Sequence, residues 1–115
     1  MLPMQVVAMA DADAPIGWTV RRDNGVELAT FVIRDAGGLL RPEQLPTVEL
    51  PNELLGRERA GIVFSGRGPI WLFCHLAHLA HPFAWVAVHD PRLGGAVVVQ
   101  RHRPDAPALG EIVPL

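Results

Sequence analysis

The apolar positions of this chain fall into short runs separated by glycine, proline and charged turns, and their period changes once, at Pro69. Ile62 to Phe64 is a continuous apolar run that predicts a buried strand. Ser65-Gly66-Arg67-Gly68 breaks it, and from Pro69 to about His81 the apolar residues return as a helix. Trp85 to Val88 and Ala96 to Gln100 predict two further strands, joined by a tight turn over Asp90-Pro91-Arg92-Leu93-Gly94-Gly95. These three strands and one helix, between 61 and 102, are the expected core, with Trp71, Phe73 and Trp85 packed in it.

Upstream, Trp18 to Arg22 and Val26 to Arg34 flank Asp23-Asn24-Gly25, and Asn-Gly supplies the positive φ values that a tight hairpin turn needs. Gly37-Gly38 predicts a loop and Arg41 to Leu45 a helical turn. Val48 to Leu50 predicts a short strand stopped by Pro51, and 52–59 a charged connection. Residues 1–15 form a strand or arm followed by a linker. The segment from Arg103 to Leu115 is a tail with at most an edge strand at Glu111 to Val113. The expected fold is a small mixed α/β sheet with an amino-terminal hairpin and one strand-helix-strand crossover, in a single domain of 115 residues.

Half of the residues are apolar, which excludes a disordered chain. No apolar run reaches the roughly 18 residues that cross a bilayer, and no secretory leader is visible, so a cytoplasmic protein without membrane contact is expected. The lone Cys74 makes no internal disulfide, in keeping with a reducing compartment. Charge is unevenly spread. Residues 61–103 carry Arg67, Arg92, Arg101 and Arg103 against Asp90 alone, whereas the first sixty residues hold six arginines and nine acids. Cationic forks beside glycine turns suit an anionic ligand, because guanidinium and backbone N–H groups both match phosphate oxygens.

Topology then sorts the polar residues. Strand, helix and strand in succession make a right-handed crossover with the strands parallel. Ser65-Gly66-Arg67-Gly68 therefore lies at the carboxyl end of the first strand and the amino end of the helix, where unpaired N–H groups favour anions and Pro69 loses no hydrogen bond. Asp90 and Arg92 follow the parallel strand and fall on the same end of the sheet. His81 closes the helix at the opposite end, and the antiparallel return strand brings His102 back to it. His81 and His102 can thus meet, as two ligands of a divalent metal or as partners of the last helical carbonyls. Cys74 and His78, four apart on the helix, make either a thiol-imidazole pair or, with the cysteine buried, ordinary packing. His75 and His89 have less support as functional groups.

Gly61, Ser-Gly-Arg-Gly-Pro-Ile-Trp-Leu at 65–72, Leu-Ala-His at 76–78, His81, Asp-Pro-Arg-Leu-Gly at 90–94, and Ala-Val-Val-Val-Gln leading to His102 resemble the small CRISPR-associated ring nucleases of the Csx-three type. The resemblance covers about forty residues continuously; the first fifteen look like an extension, and Gly95 adds a glycine to the turn. It implies a distantly Rossmann-like homodimer of type III CRISPR systems that binds cyclic tetra-adenylate, or other oligoadenylate RNA, and linearises it with Mn2+. Carried onto this chain, it implies that Ser65, Gly66, Arg67, Gly68, Pro69 and His78 contact ligand, that His81, Asp90 and Arg92 are catalytic, and that His81, Asp90 and His102 bind metal. Because the two groups of residues are expected at opposite ends of the sheet, a head-to-tail stack of dimers, as tetramers or filaments, would complete each site. The alternatives are a manganese-dependent 3′ exoribonuclease that removes adenylates and a sponge that binds the ring without cutting it.

Overall fold

In the computed structural model, which describes residues 4–7 and 13–115, seven strands follow one another across one mixed sheet in chain order. They are β1 (Met4–Val7), β2 (Ile16–Asp23), β3 (Val26–Ile33), β4 (Gly61–Ser65), β5 (Trp85–Asp90), β6 (Gly95–Arg101) and β7 (Ile112–Pro114), and helix α1 (Ile70–Leu79) joins β4 to β5. The hairpin of β2 and β3 turns through Asn24 and Gly25, whose φ angles are 51° and 77°. Positive φ at both central residues matches the twist of the flanking strands. β3, β4 and β5 are parallel, and the other neighbours are antiparallel. The strand in the arm falls at β1; the linker residues 8–12 lie outside the described residues.

Parallel central strands need cover on both faces, which is why Ile62, Val63 and Phe64 read as an unbroken apolar run. One face places Trp18, Phe31, Ile62, Phe64 and Val86 under Leu72 and Leu76 of α1. The other holds Val63, Trp85, Ala87, Ala96 and Val98, with Ala106 of the tail packed against them. Each fully buried valine, leucine, isoleucine or phenylalanine among them contributes about 1.5–3 kcal/mol.

The core is wider than residues 61–102. The hairpin supplies Trp18 and Phe31, and the connection from β3 to β4 supplies Leu40, Val48 and Leu54. That connection is itself a crossover between parallel strands, made with 3-10 turns at Ala36–Gly38, Pro42–Thr47 and Asn52–Leu54 in place of an α-helix. The expected strand at Val48 to Leu50 does not form. Val48 is extended and buried, but its carbonyl faces the His75 ring, with Nε2 at 3.2 Å, and Pro51 follows closely. His75 is thus an anchor for the connection. Buried Glu27 anchors its far end, with Arg22 Nε at 2.7 Å and Arg57 Nη2 at 3.6 Å.

α1 is shorter than predicted. Pro69 is its N-cap, and Ala80 its C-cap, so His81 lies just beyond the helix. Cys74 is exposed, which removes the expectation of a buried, space-filling cysteine.

Candidate functional site

The parallel strands define two rims: an upper one at the carboxyl ends of β3, β4 and β5, and a lower one at their amino ends. At the upper rim β4 stops at Ser65 because Gly66 turns the chain with φ of 146°, and a side chain there would meet Phe31 O at 2.7 Å. A Cβ at Gly68 would press on the Phe31 ring at 2.9 Å and Leu72 at 3.0 Å. Both glycines therefore let the turn lie directly on β3 before α1 begins. No side chain caps α1; Leu72 N–H turns back to Pro69 O at 3.0 Å, and the N–H groups of Ile70 and Trp71 remain open to a ligand. Arg67 stands exposed beside them.

Across the rim, Ser65 Oγ lies 2.9 Å from Nδ1 of half-buried His89. His89 is the functional candidate that sequence reasoning missed; its signal is the register that pairs Phe64 with Val88 and so sets residues 65 and 89 side by side. One step further, Asp90 Oδ1 accepts the backbone N–H of Arg92 at 3.0 Å and caps the 3-10 turn Pro91–Leu93. The Arg92 guanidinium returns to the same carboxylate, Nε to Oδ1 at 3.2 Å and Nη2 to Oδ2 at 3.1 Å. These hydrogen bonds from Arg92, side chain first and backbone second, hold the Asp90 carboxyl below its usual range and raise the Arg92 guanidinium. Asp90 is consequently a carboxylate at neutral pH. It can orient Arg92 or ligate a cation, but it has no proton to donate.

The lower rim carries His81 and His102. His102 N–H donates to Ala84 O at 3.0 Å, which fixes the end of β6 against the start of β5. The rings of His81 and His102 meet edge to face with centroids 4.5 Å apart. A bulge makes this placement possible. Ala87 pairs with Val98 while Val86 pairs with Gln100, leaving Val99 as an extra residue in β6. Ala96 and Val98 face away from α1, and strict alternation would send Gln100 and His102 after them; the bulge reverses the phase. Gln100 Nε2 then reaches Ala77 O in the last turn of α1 at 3.2 Å, and Gln100 Oε1 lies 2.9 Å from His102 Nε2.

The structure thus brings Ser65, Gly66, Arg67, Gly68, Pro69, Asp90 and Arg92 to one rim and His81 and His102 to the other. β5 spans the distance between them, about 20 Å for six residues at ~3.3 Å each. His78 is exposed in the last turn of α1, on the side of the lower rim rather than beside the glycine turn. Among the described residues no three His, Cys, Asp or Glu side chains gather closely enough to hold a metal ion. His81 and His102 fit a divalent ion as half of a ligand set, since imidazole suits several first-row metals but two nitrogens leave most of the coordination sphere open.

A parallel βαβ core with a glycine turn at one rim and an imidazole pair at the other defines an α/β protein with a divided polar site. The chain matches the family model described as CRISPR-associated protein (Cas_csx3) over residues 33–114 and belongs to that family. A relative from Aquifex aeolicus (strain VF5), an uncharacterized protein, is 37% identical over 102 residues, covering 88% of this chain and 89% of the relative. The family match includes Ser65 to Pro69, His81, His89, Asp90, Arg92, Gln100 and His102, and begins at the end of β3. Among the described residues no helix is long and apolar enough to cross a membrane.

Proposed function

We propose that this protein binds cyclic tetra-adenylate and opens the ring, ending type III CRISPR signalling, in sites shared between dimers stacked head to tail. The observation that carries this reading is the division of the polar residues: the phosphate-type cradle with Asp90 and Arg92 occupies one rim, and His81 with His102 the other. A stack that sets the upper rim of one dimer on the lower rim of the next joins both halves around one ligand.

In such a site the N–H groups of the 66–68 turn and the first turn of α1 bind phosphate, and Ser65 donates its hydroxyl. Arg92, released from Asp90, balances the charge that develops on the phosphoryl oxygens. A ribose 2′-OH attacks the adjacent phosphorus: the new 2′-O–P bond replaces the P–O5′ bond, leaving a 2′,3′-cyclic phosphate and a 5′-hydroxyl. The proton of the 2′-OH passes to the His81 ring when that ring holds no cation and otherwise to solvent, and the departing 5′-oxygen gains one from solvent. A divalent cation, manganese by resemblance, would be held by His81 and His102 together with Asp90 of the facing rim. When bound, it would supply Lewis-acid polarisation of a phosphoryl oxygen.

The deciding experiment is single-turnover cleavage of labelled cyclic tetra-adenylate with manganese, comparing wild type with His81→Ala. Linear products from the wild type and roughly 10²–10⁴-fold slower cleavage by the variant are expected. Intact ring in both, despite tight binding, makes the protein a sponge. Preferential trimming of linear 3′ adenylates in competition makes it an exoribonuclease.

A further inference from the structure

Gln100 bridges two groups whose chemistry leaves it no choice of orientation. Ala77 O, near the carboxyl end of α1, can only accept a hydrogen bond, so the amide nitrogen of Gln100 must face it, and does so at 3.2 Å. The amide oxygen then faces His102 Nε2 at 2.9 Å, and an amide oxygen can only accept. The hydrogen in that contact therefore sits on Nε2 of His102. A neutral imidazole with its hydrogen on Nε2 carries its lone pair on Nδ1.

We propose that Gln100 is the positioning residue of the histidine pair, holding His102 as the Nε2–H tautomer so that Nδ1 is the one ring atom offered to a divalent cation or a transferred proton. This rests on the reading of His81 and His102 as the chemical half of the site, and adds to it an atom and a support. Histidines that bind metals are commonly fixed in this way, the second nitrogen donating to a carboxylate, carbonyl or water. Here the support is a side-chain amide that also grips the helix preceding His81. The same residue thus ties both imidazoles to one framework: His102 directly, and His81 through the end of α1, four residues beyond Ala77. The bulge at Val99 is what turns Gln100 toward the helix, so the device is written into the register of β6.

The test begins with the metal-free protein. Nitrogen-15 spectra of the ring of His102, at a pH where it is neutral, should show Nε2 protonated and Nδ1 bare. In Gln100→Leu the ring should relax to a mixture of tautomers while the protein stays folded. A protonated Nδ1 in the wild type, or the same tautomer ratio in both proteins, would overturn the proposal. Manganese(II) alone is then added, and its paramagnetic broadening of the His102 ring signals gives an affinity. Gln100→Leu should weaken it by roughly 10–100-fold, and an unchanged affinity counts against a positioning role. Absence of broadening in a wild type that shows the expected tautomer would instead sink the metal assignment in the proposed function and leave the role of Gln100 in orienting His102 intact.

Discussion

Ser65 and His89 face each other across β4 and β5, hydroxyl oxygen to Nδ1 at 2.9 Å, at the point where the glycine turn leaves the sheet. If the Ser65 hydroxyl donates to a phosphate oxygen, His89 must supply the hydrogen between them, so its Nδ1 must then be the donor. Ser65→Ala and His89→Leu should each weaken binding of cyclic tetra-adenylate, and the double variant should lose less than the sum. The coupling expected is about 0.5–1.5 kcal/mol. His89→Asn, whose amide can donate from nearly the same place, should recover part of the loss. Fully additive losses in a binding titration would separate the two residues.

The fork between Asp90 and Arg92 has a signed pH dependence. Its hydrogen bonds depress the Asp90 carboxyl in the folded chain, so its stabilising effect is complete above the usual aspartate value of about 3.9 and is lost as pH falls through the lower native value. Wild type and Arg92→Met should therefore differ in stability by a constant amount near neutrality and converge in acid. The carboxyl of Asp90, followed by NMR, should titrate higher in Arg92→Met. A titration curve that does not move would show that the fork does not persist in solution.

Gly66→Ala tests whether the turn is braced by the core. The left-handed φ of 146° and the 2.7 Å approach to Phe31 O both oppose a side chain. A loss of about 1–3 kcal/mol is expected, which lowers Tm by roughly 4–12 °C in a domain of this size. A thermal melt identical to wild type would show that the turn can lift from β3 freely.

Complementation addresses the division of the site. His81→Ala and Arg92→Ala should each be nearly inactive alone. Mixed in equal amounts, head-to-tail stacks would unite a sound lower rim with a sound upper rim at roughly a quarter of their junctions. Ring cleavage should rise to about that share of the wild-type rate. A mixture no more active than its components would mean that one dimer holds the whole site.

Much of this arrangement is legible from residue order alone, for identifiable reasons. Asn24-Gly25 specifies its hairpin through φ, and the apolar run at Ile62 to Phe64 specifies a strand covered on both faces. Parallel pairing of β4 and β5 then sends Ser65 and Asp90 to one rim and His81 to the other. What escapes is whatever depends on register between distant segments. Val48 has the side chain of a strand residue, yet its carbonyl goes to His75, a partner twenty-seven positions away. The Val99 bulge leaves no mark in a run of three valines, so the reach of Gln100 to α1 could not be read from alternation. His89 reads from residue order as one more histidine at a strand end, because only the register of β4 against β5 sets Ser65 beside it.

Because the two polar rims lie at opposite ends of the same short strands, a stack of these molecules is polar in the sense that a row of arrows is. In the proposed stack every junction would make working sites, but the first layer would always present one unused face and the last layer the other. A two-layer assembly wastes half of its faces, and longer assemblies waste progressively less, so output per molecule climbs with length without any change in the chemistry at a junction. Abundance alone would then act as a throttle, leaving scarce protein nearly idle and crowded protein close to its full rate.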